Sequence, residues 1–119
     1  MPSYVVMFPA DDEAAWEAGS EADRQATYDV DGEFVARLEA AGGRVTGGAA
    51  VVHSRQARTL RRGPAGEAVV TEAAATQAAG QLSGFFLVDC DAYDALVDAA
   101  GVLVGAHPVV EIRPVDEDG

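Results

Sequence analysis

Asp31 stands three residues before Phe34, four before Val35 and seven before Leu38. In a helix that spacing puts its carboxylate on the same face as those apolar side chains. A carboxylate held against an apolar face is a candidate acid or base, because desolvation or a neighbouring like charge raises a carboxyl pKa. Glu72 is the candidate second member, since two carboxylates lining one pocket are driven to different pKa values and make an acid/base couple. The alternative puts Asp31 at a solvated part of its helix and Glu72 on the surface. Glu111 and Arg113 lie two apart in "VVEIRP", so a strand presents both on one face. There they either orient a polar ligand or pair with each other, and pairing is the commoner outcome.

The remaining reactive side chains are less pointed. His53 and His107 have no Cys, Asp or second His at ligand spacing, and a metal site needs three or four convergent ligands. No metal and no cofactor is expected. His53 would serve as a base only within hydrogen-bond reach of Asp31. Cys90 sits between Asp89 and Asp91, whose charge disfavours the thiolate. Arg55, Arg58, Arg61 and Arg62 are half of the positive residues, and strand alternation sends them to opposite faces, so they read as a solvated hairpin. Gly47 and Gly48 lack the Gly-Lys-Ser/Thr sequel of a phosphate loop.

These side chains must be positioned by elements that the hydropathy pattern locates. "SYVVMF" (residues 3–8) and "GFFLVDC" (residues 84–90) are short, continuously apolar runs that read as strands buried on both faces. "DDEAAWEA" is a short helix headed by Asp11 and Asp12, and Ser20 with Asp23 opens a longer one that Gly42 and Gly43 stop. Residues 44–53 and 57–62 read as strands, and "RRGPAGE" turns the second into "AVVT". Asp91 heads a last helix with Tyr93, Leu96, Val97 and Ala100 on its apolar face, and a final strand runs over "VVEIRP". Between Val69 and Gly84 lies an alanine-rich tract, free to form a helical turn or a loop. The order predicts an α+β domain over residues 1–115, a ferredoxin-like split βαβ arrangement with an inserted β-hairpin, followed by an acidic tail over residues 116–119.

Two helices cover one face of such a sheet, and the apolar runs leave the other face greasy. A bare patch of that kind is too large for a monomer, so a second copy is expected to cover it, sheet against sheet, as a dimeric α/β barrel. The 119 residues, 49% apolar, suit one domain. Twenty acidic residues against eight arginines and no lysine leave a net charge of −12, which repels nucleic acid and anionic membranes. No apolar run approaches the roughly 20 residues of a membrane span. A lone cysteine and an N-terminus without a signal-peptide pattern point to the cytoplasm.

"EAAWEAGSEADRQATYDVDGEFVARLEAAGGRVTGG", then "QLSGFFLVDCDAYDAL" and "VVEIRPV", resemble the YCII-related family, in the branch named for a DGPF motif, from Tyr4 to Val115. The resemblance implies a bacterial dimeric α/β barrel with a cleft between sheet and helix, and relatives with dehydratase or dehalogenase-like lyase chemistry. Where the branch runs through Thr-Asp-Gly-Pro-Phe, this chain reads Thr71, Glu72, Ala73, Ala74, Ala75, and where the family has a histidine in the long helix it has Asp31. Glu111 and Arg113 are retained. The implied function is a small-molecule-binding protein with a degenerate catalytic motif and Asp31, Glu72, Glu111 and Arg113 at its cleft. The alternatives are a non-catalytic interaction module linked to sigma factors, and an active lyase with a relocated acid/base such as His53.

Overall fold

The apolar run at the N-terminus does form a strand, β1 (Ser3–Phe8), but its two faces are not equivalent. Tyr4, Val6 and Phe8 are buried, whereas Ser3, Val5 and Met7 on the opposite face are only half-buried. The computed structural model describes residues 1–118, and Gly119, the end of the expected acidic tail, lies outside the described residues.

After β1, Asp11–Asp12 (β2) make a short bridge and Glu13–Ala18 form helix α1. Asp12 caps α1 by accepting from the Ala15 N–H at 3.0 Å. Helix α2 (Glu21–Ala40) opens on a full capping box: Ser20 Oγ accepts from the Asp23 N–H and the Asp23 carboxylate from the Ser20 N–H. Phe34 and Leu38 are its only fully buried side chains. Two such anchors, each worth about 1.5–3 kcal/mol on burial, outweigh a cap worth about 1 kcal/mol, so tertiary packing holds the helix more than its ends do.

Strand β3 (Arg44–Ala50) stops before the expected His53, because the chain turns into a single 3₁₀ turn at Ser54–Gln56. The hairpin is as its turn residues require, β4 (Thr59–Arg62) against β5 (Ala68–Thr71). The alanine tract forms no helix and runs as loop to the short β6 (Gly80–Gln81), which pairs with β2. Strand β7 (Gly84–Asp89) follows.

Helix α3 (Tyr93–Ala100) corrects two expectations. It begins after Ala92, with no side-chain cap, so Asp91 does not head it. Its buried residues are Leu96, Ala99 and Ala100, continued by Leu103 in the 3₁₀ turn Gly101–Gly105, whereas Tyr93 and Val97 are exposed. The apolar face is thus rotated toward the turn that extends the helix. Strand β8 (Glu111–Pro114) starts two residues later than its sequence pattern suggests.

Strands β3, β7, β1 and β8 form one antiparallel sheet in that order, with α2 and α3 together on one face. The core lies between them and comprises Tyr4, Val6, Phe8 and Val88 from the sheet with Phe34, Leu38, Leu96 and Leu103 from the helical layer. Pairing sets Leu87 beside Val5 and Arg113, and Phe85 beside Met7 and Glu111, on the face away from the helices. The fold is α+β. No helix among the described residues is long and apolar enough to cross a membrane.

Candidate functional site

Among the described residues His107 is the one buried polar or charged side chain outside the hydrophobic core set, 4% exposed. It follows the turn after α3, where its backbone N–H donates to the Leu103 carbonyl at 2.9 Å, and its ring lies flat on Phe8, with centroids 3.7 Å apart and planes 7° from parallel. Each ring nitrogen meets a carboxylate: Nδ1 is 2.8 Å from Asp11 Oδ2 and Nε2 is 2.9 Å from Asp31 Oδ1.

The elements explain how three residues separated by up to 96 positions converge. Asp11 leaves the end of β1 and is fixed by the β2–β6 bridge, opposite Gln81. Ser83, just beyond that bridge, donates its hydroxyl to Asp11 Oδ2 at 2.5 Å. Asp31 comes from α2 one turn before Phe34, so the residue that anchors the helix also aims the carboxylate. His107 is delivered from the opposite end of the helical layer.

Both carboxylates can only accept hydrogen bonds, and an imidazole donates from both nitrogens only when protonated. The arrangement therefore calls for an imidazolium between two carboxylates, or for a proton resting on one of them. Burial alone would push the His107 pKa down, but the hydrogen bonds and charges of Asp31 and Asp11 outweigh it and hold the pKa above the ordinary histidine value. One proton shared among one imidazole and two carboxylates leaves the cluster with a net negative charge. Asp11 Oδ1 is sealed from solvent and has no hydrogen-bond partner.

The cluster forms the floor of a cleft of about 1030 Å³. Trp16 and Tyr28 stand at one wall, ring centroids 5.8 Å apart, and Gly48, Ala49 and Ala50 of β3 with Phe86 of β7 form the other. Asp31, with 24% of its side chain exposed, reaches the cleft more freely than His107, at 5%. The rim is tied down by polar contacts. Ser54 donates from its N–H and its hydroxyl to the Glu13 carboxylate at 2.7 and 2.5 Å, and Arg55 pairs with Glu17 at 2.7 Å, which lowers the Glu17 pKa and raises that of Arg55. Arg24 lies over the Trp16 ring and donates to the Trp16 and Glu17 carbonyls. Both guanidinium groups of the cleft are thus engaged within the protein.

Of the four candidate cleft residues Asp31, Glu72, Glu111 and Arg113, Asp31 alone lines this cleft. Glu72 is 81% exposed, 3.9 Å from Arg58, and does not join Asp31. Glu111 and Arg113 pair with each other at 2.7 Å on the open face of the sheet. His53 lines the cleft rim, but its Nδ1 accepts from the Arg55 N–H and lies 3.8 Å from Glu13, so the imidazole that meets Asp31 is that of His107. Cys90 is buried, with Sγ 3.4 Å from the Ala92 carbonyl. Asp11, Ser83 and His107 escape a reading of the sequence because their partners are distant in the chain. The one signal was redundancy: a helix uses one capping aspartate, and "DD" supplies two. Asp11 and Asp31 approach opposite nitrogens of one ring and do not converge on a point, and among the described residues no group of three His, Cys, Asp or Glu side chains could hold a metal ion.

No family model matches the chain, and no curated protein is similar to it.

Proposed function

We propose that this protein binds a small polar molecule in the cleft beneath α2 and exchanges a proton with it through Asp31, with His107 as the reservoir behind that carboxylate and Asp11 as the group that orients the ring. The observation that carries the reading is the 2.9 Å contact between His107 Nε2 and Asp31 Oδ1 at the floor of an open cleft. A ligand N–H or O–H facing the free oxygen of Asp31 would donate to it, and loss of its proton would be matched by redistribution within the Asp31–His107–Asp11 relay. Because Arg24 and Arg55 are already engaged, the cleft favours neutral or cationic ligands over anions.

The strand order, with β7 and β1 central and β3 and β8 at the edges, supports the ferredoxin-like split βαβ reading and, with it, a place in the YCII-related family. In that family's terms Asp31 stands where a histidine is usual, and His107, from a different element, sets an imidazole against that carboxylate. The open sheet face supports a homodimer. Its centre is Val5, Met7, Phe85 and Leu87, bordered by the Glu111–Arg113 pair at one edge and by Asp89, which accepts from Ser3 Oγ and Arg44, at one end. An apolar centre inside a polar rim is the anatomy of an interface.

A fragment set followed by amide NMR shifts tests the binding site. Ligands are expected to perturb Gly48, Ala49, His53 and Ser83, and Asp31→Asn is expected to weaken the best of them at least tenfold while keeping the wild-type circular dichroism spectrum. Fragments that map elsewhere, or that bind wild type and variant alike, would remove the assignment. For the dimer, Leu87→Asp should convert the sedimenting species from dimer to monomer.

A further inference from the structure

The lining of the cleft is biased in charge. Six carboxylates, those of Asp11, Asp12, Glu13, Glu17, Asp23 and Asp31, outnumber the two guanidinium groups of Arg24 and Arg55. Even an imidazolium at His107 leaves the negative side in excess, within a chain whose net charge is −12. A cleft lined by one sign of charge concentrates ions of the other.

Most of these carboxylates already have partners. Asp12 and Asp23 cap α1 and α2, Ser54 takes both oxygens of Glu13, Arg55 pairs with Glu17, and Asp11 is held by His107 and Ser83. Asp31 differs. Its Oδ1 meets His107, no group among the described residues donates to its Oδ2, and the side chain stays open to the cleft. A carboxylate oxygen only accepts, so its complement is an N–H or O–H, and a cationic N–H makes the shorter and stronger bond.

The aromatic wall fixes the other end of the ligand. Trp16 is 40% and Tyr28 55% exposed, and both face the cleft across from Gly48, Ala49 and Ala50, whose side chains are no larger than a methyl. Arg24 already lies 5.7 Å over the Trp16 ring, so a cation–π site is filled from within the chain and the rings are left to an apolar body. Tyr28 precedes Asp31 by one turn of α2, about 5–6 Å between their β-carbons, a span that a short aliphatic linker bridges.

We propose that the cleft takes primary or secondary organic amines, the ammonium N–H donating to Asp31 Oδ2 and an apolar group of ring size packing between Tyr28, Trp16 and the β3 wall. This rests on the cleft reading given above and adds the class and orientation of the ligand.

Four probes titrated into the full chain and followed by amide NMR shifts test it: 2-phenylethylamine, its N,N,N-trimethyl derivative, 2-phenylethanol and 3-phenylpropionate. The primary amine is expected to shift the amides of Tyr28, Gly48 and Ala49. It should bind about tenfold more tightly than the alcohol, the margin of a charge-assisted over a neutral hydrogen bond. The trimethyl compound, with no N–H, should lose that margin, and the carboxylate should shift nothing at the cleft. Asp31→Asn should bring the amine down to the affinity of the alcohol, whereas Tyr28→Ala, at an exposed position, should weaken amine and alcohol by the same factor. The comparison among probes needs wild type alone, so it stands even where a variant folds poorly. Alcohol binding at the cleft as tightly as the amine, or trimethyl compound binding equally well, would overturn amine recognition and leave the small-molecule site standing. The same holds if the amine leaves the cleft amides unmoved while other members of the fragment set shift them. A cleft that responds to no compound of either set would remove both.

Discussion

Replacing His107 by phenylalanine separates the polar role of this residue from its packing role. The phenyl ring can keep the stack on Phe8, but both contacts to carboxylates, 2.8 Å to Asp11 and 2.9 Å to Asp31, are lost. A hydrogen bond to a charged group contributes about 1.5–3 kcal/mol. Asp11 and Asp31 retain one-fifth to one-quarter of their side-chain exposure, and Ser83 still serves Asp11, so partial rehydration should limit the net cost to about 2–4 kcal/mol near pH 6. The pH dependence gives the sharper signature. A folded-state pKa raised above the unfolded value of about 6.5 means that the contribution of His107 is fully present below that pH and is lost as pH rises through the folded value. Wild-type stability should therefore fall between neutral and alkaline pH, at most about 1.4 kcal/mol per pH unit, while His107→Phe should be flat there. Urea denaturation of both proteins from pH 6 to 9 measures this. If the penalty of the substitution is the same at both ends, the histidine carries no charge in the folded state and the imidazolium reading fails.

Two further outcomes follow from local structure. Ser20→Ala removes one half of the capping box on α2 and should cost about 1 kcal/mol in urea denaturation, with no effect on ligand binding at the cleft. The Asp89 pKa is lowered chiefly by the Ser3 hydroxyl, which outweighs the opposing effect of burial, with Arg44 adding to it. That contribution is present above about pH 4, the unfolded value, and is lost as pH falls through the lower folded value. Ser3→Ala should therefore lose less stability on acidification from pH 6 to 2.5 than wild type does, and equal losses would refute the linkage.

What was legible in the sequence were features carried by neighbours in the chain. The Ser20–Asp23 box, the apolar strands, the Gly-Pro turn of the hairpin and the stop at Gly42 and Gly43 all involve residues within a few positions of one another, where spacing and side-chain chemistry suffice. Asp31 could be singled out for the same reason, since helical periodicity ties it to Phe34 and Leu38. Its partners could not. His107 lies 76 residues from Asp31 and 96 from Asp11, and nothing in "GAHPVV" distinguishes an imidazole that will be buried from one left at a strand end. Asp11 had a sufficient local explanation as a helix cap, and that explanation concealed its tertiary role. α3 is a milder case: spacing alone puts Tyr93 and Val97 on its apolar face, whereas the turn through Leu103 moves the buried stripe to Leu96, Ala99 and Ala100.

The loop written in alanine is held by its peptide oxygens. Ala73, Ala75, Thr76 and Ala78 offer their carbonyls to Thr59, Arg61 and, for the last two, Gln81. A segment recognised through its main chain is indifferent to what its own side chains are, so natural variation or an inserted reporter residue should be tolerated there far better than any change at the three donors.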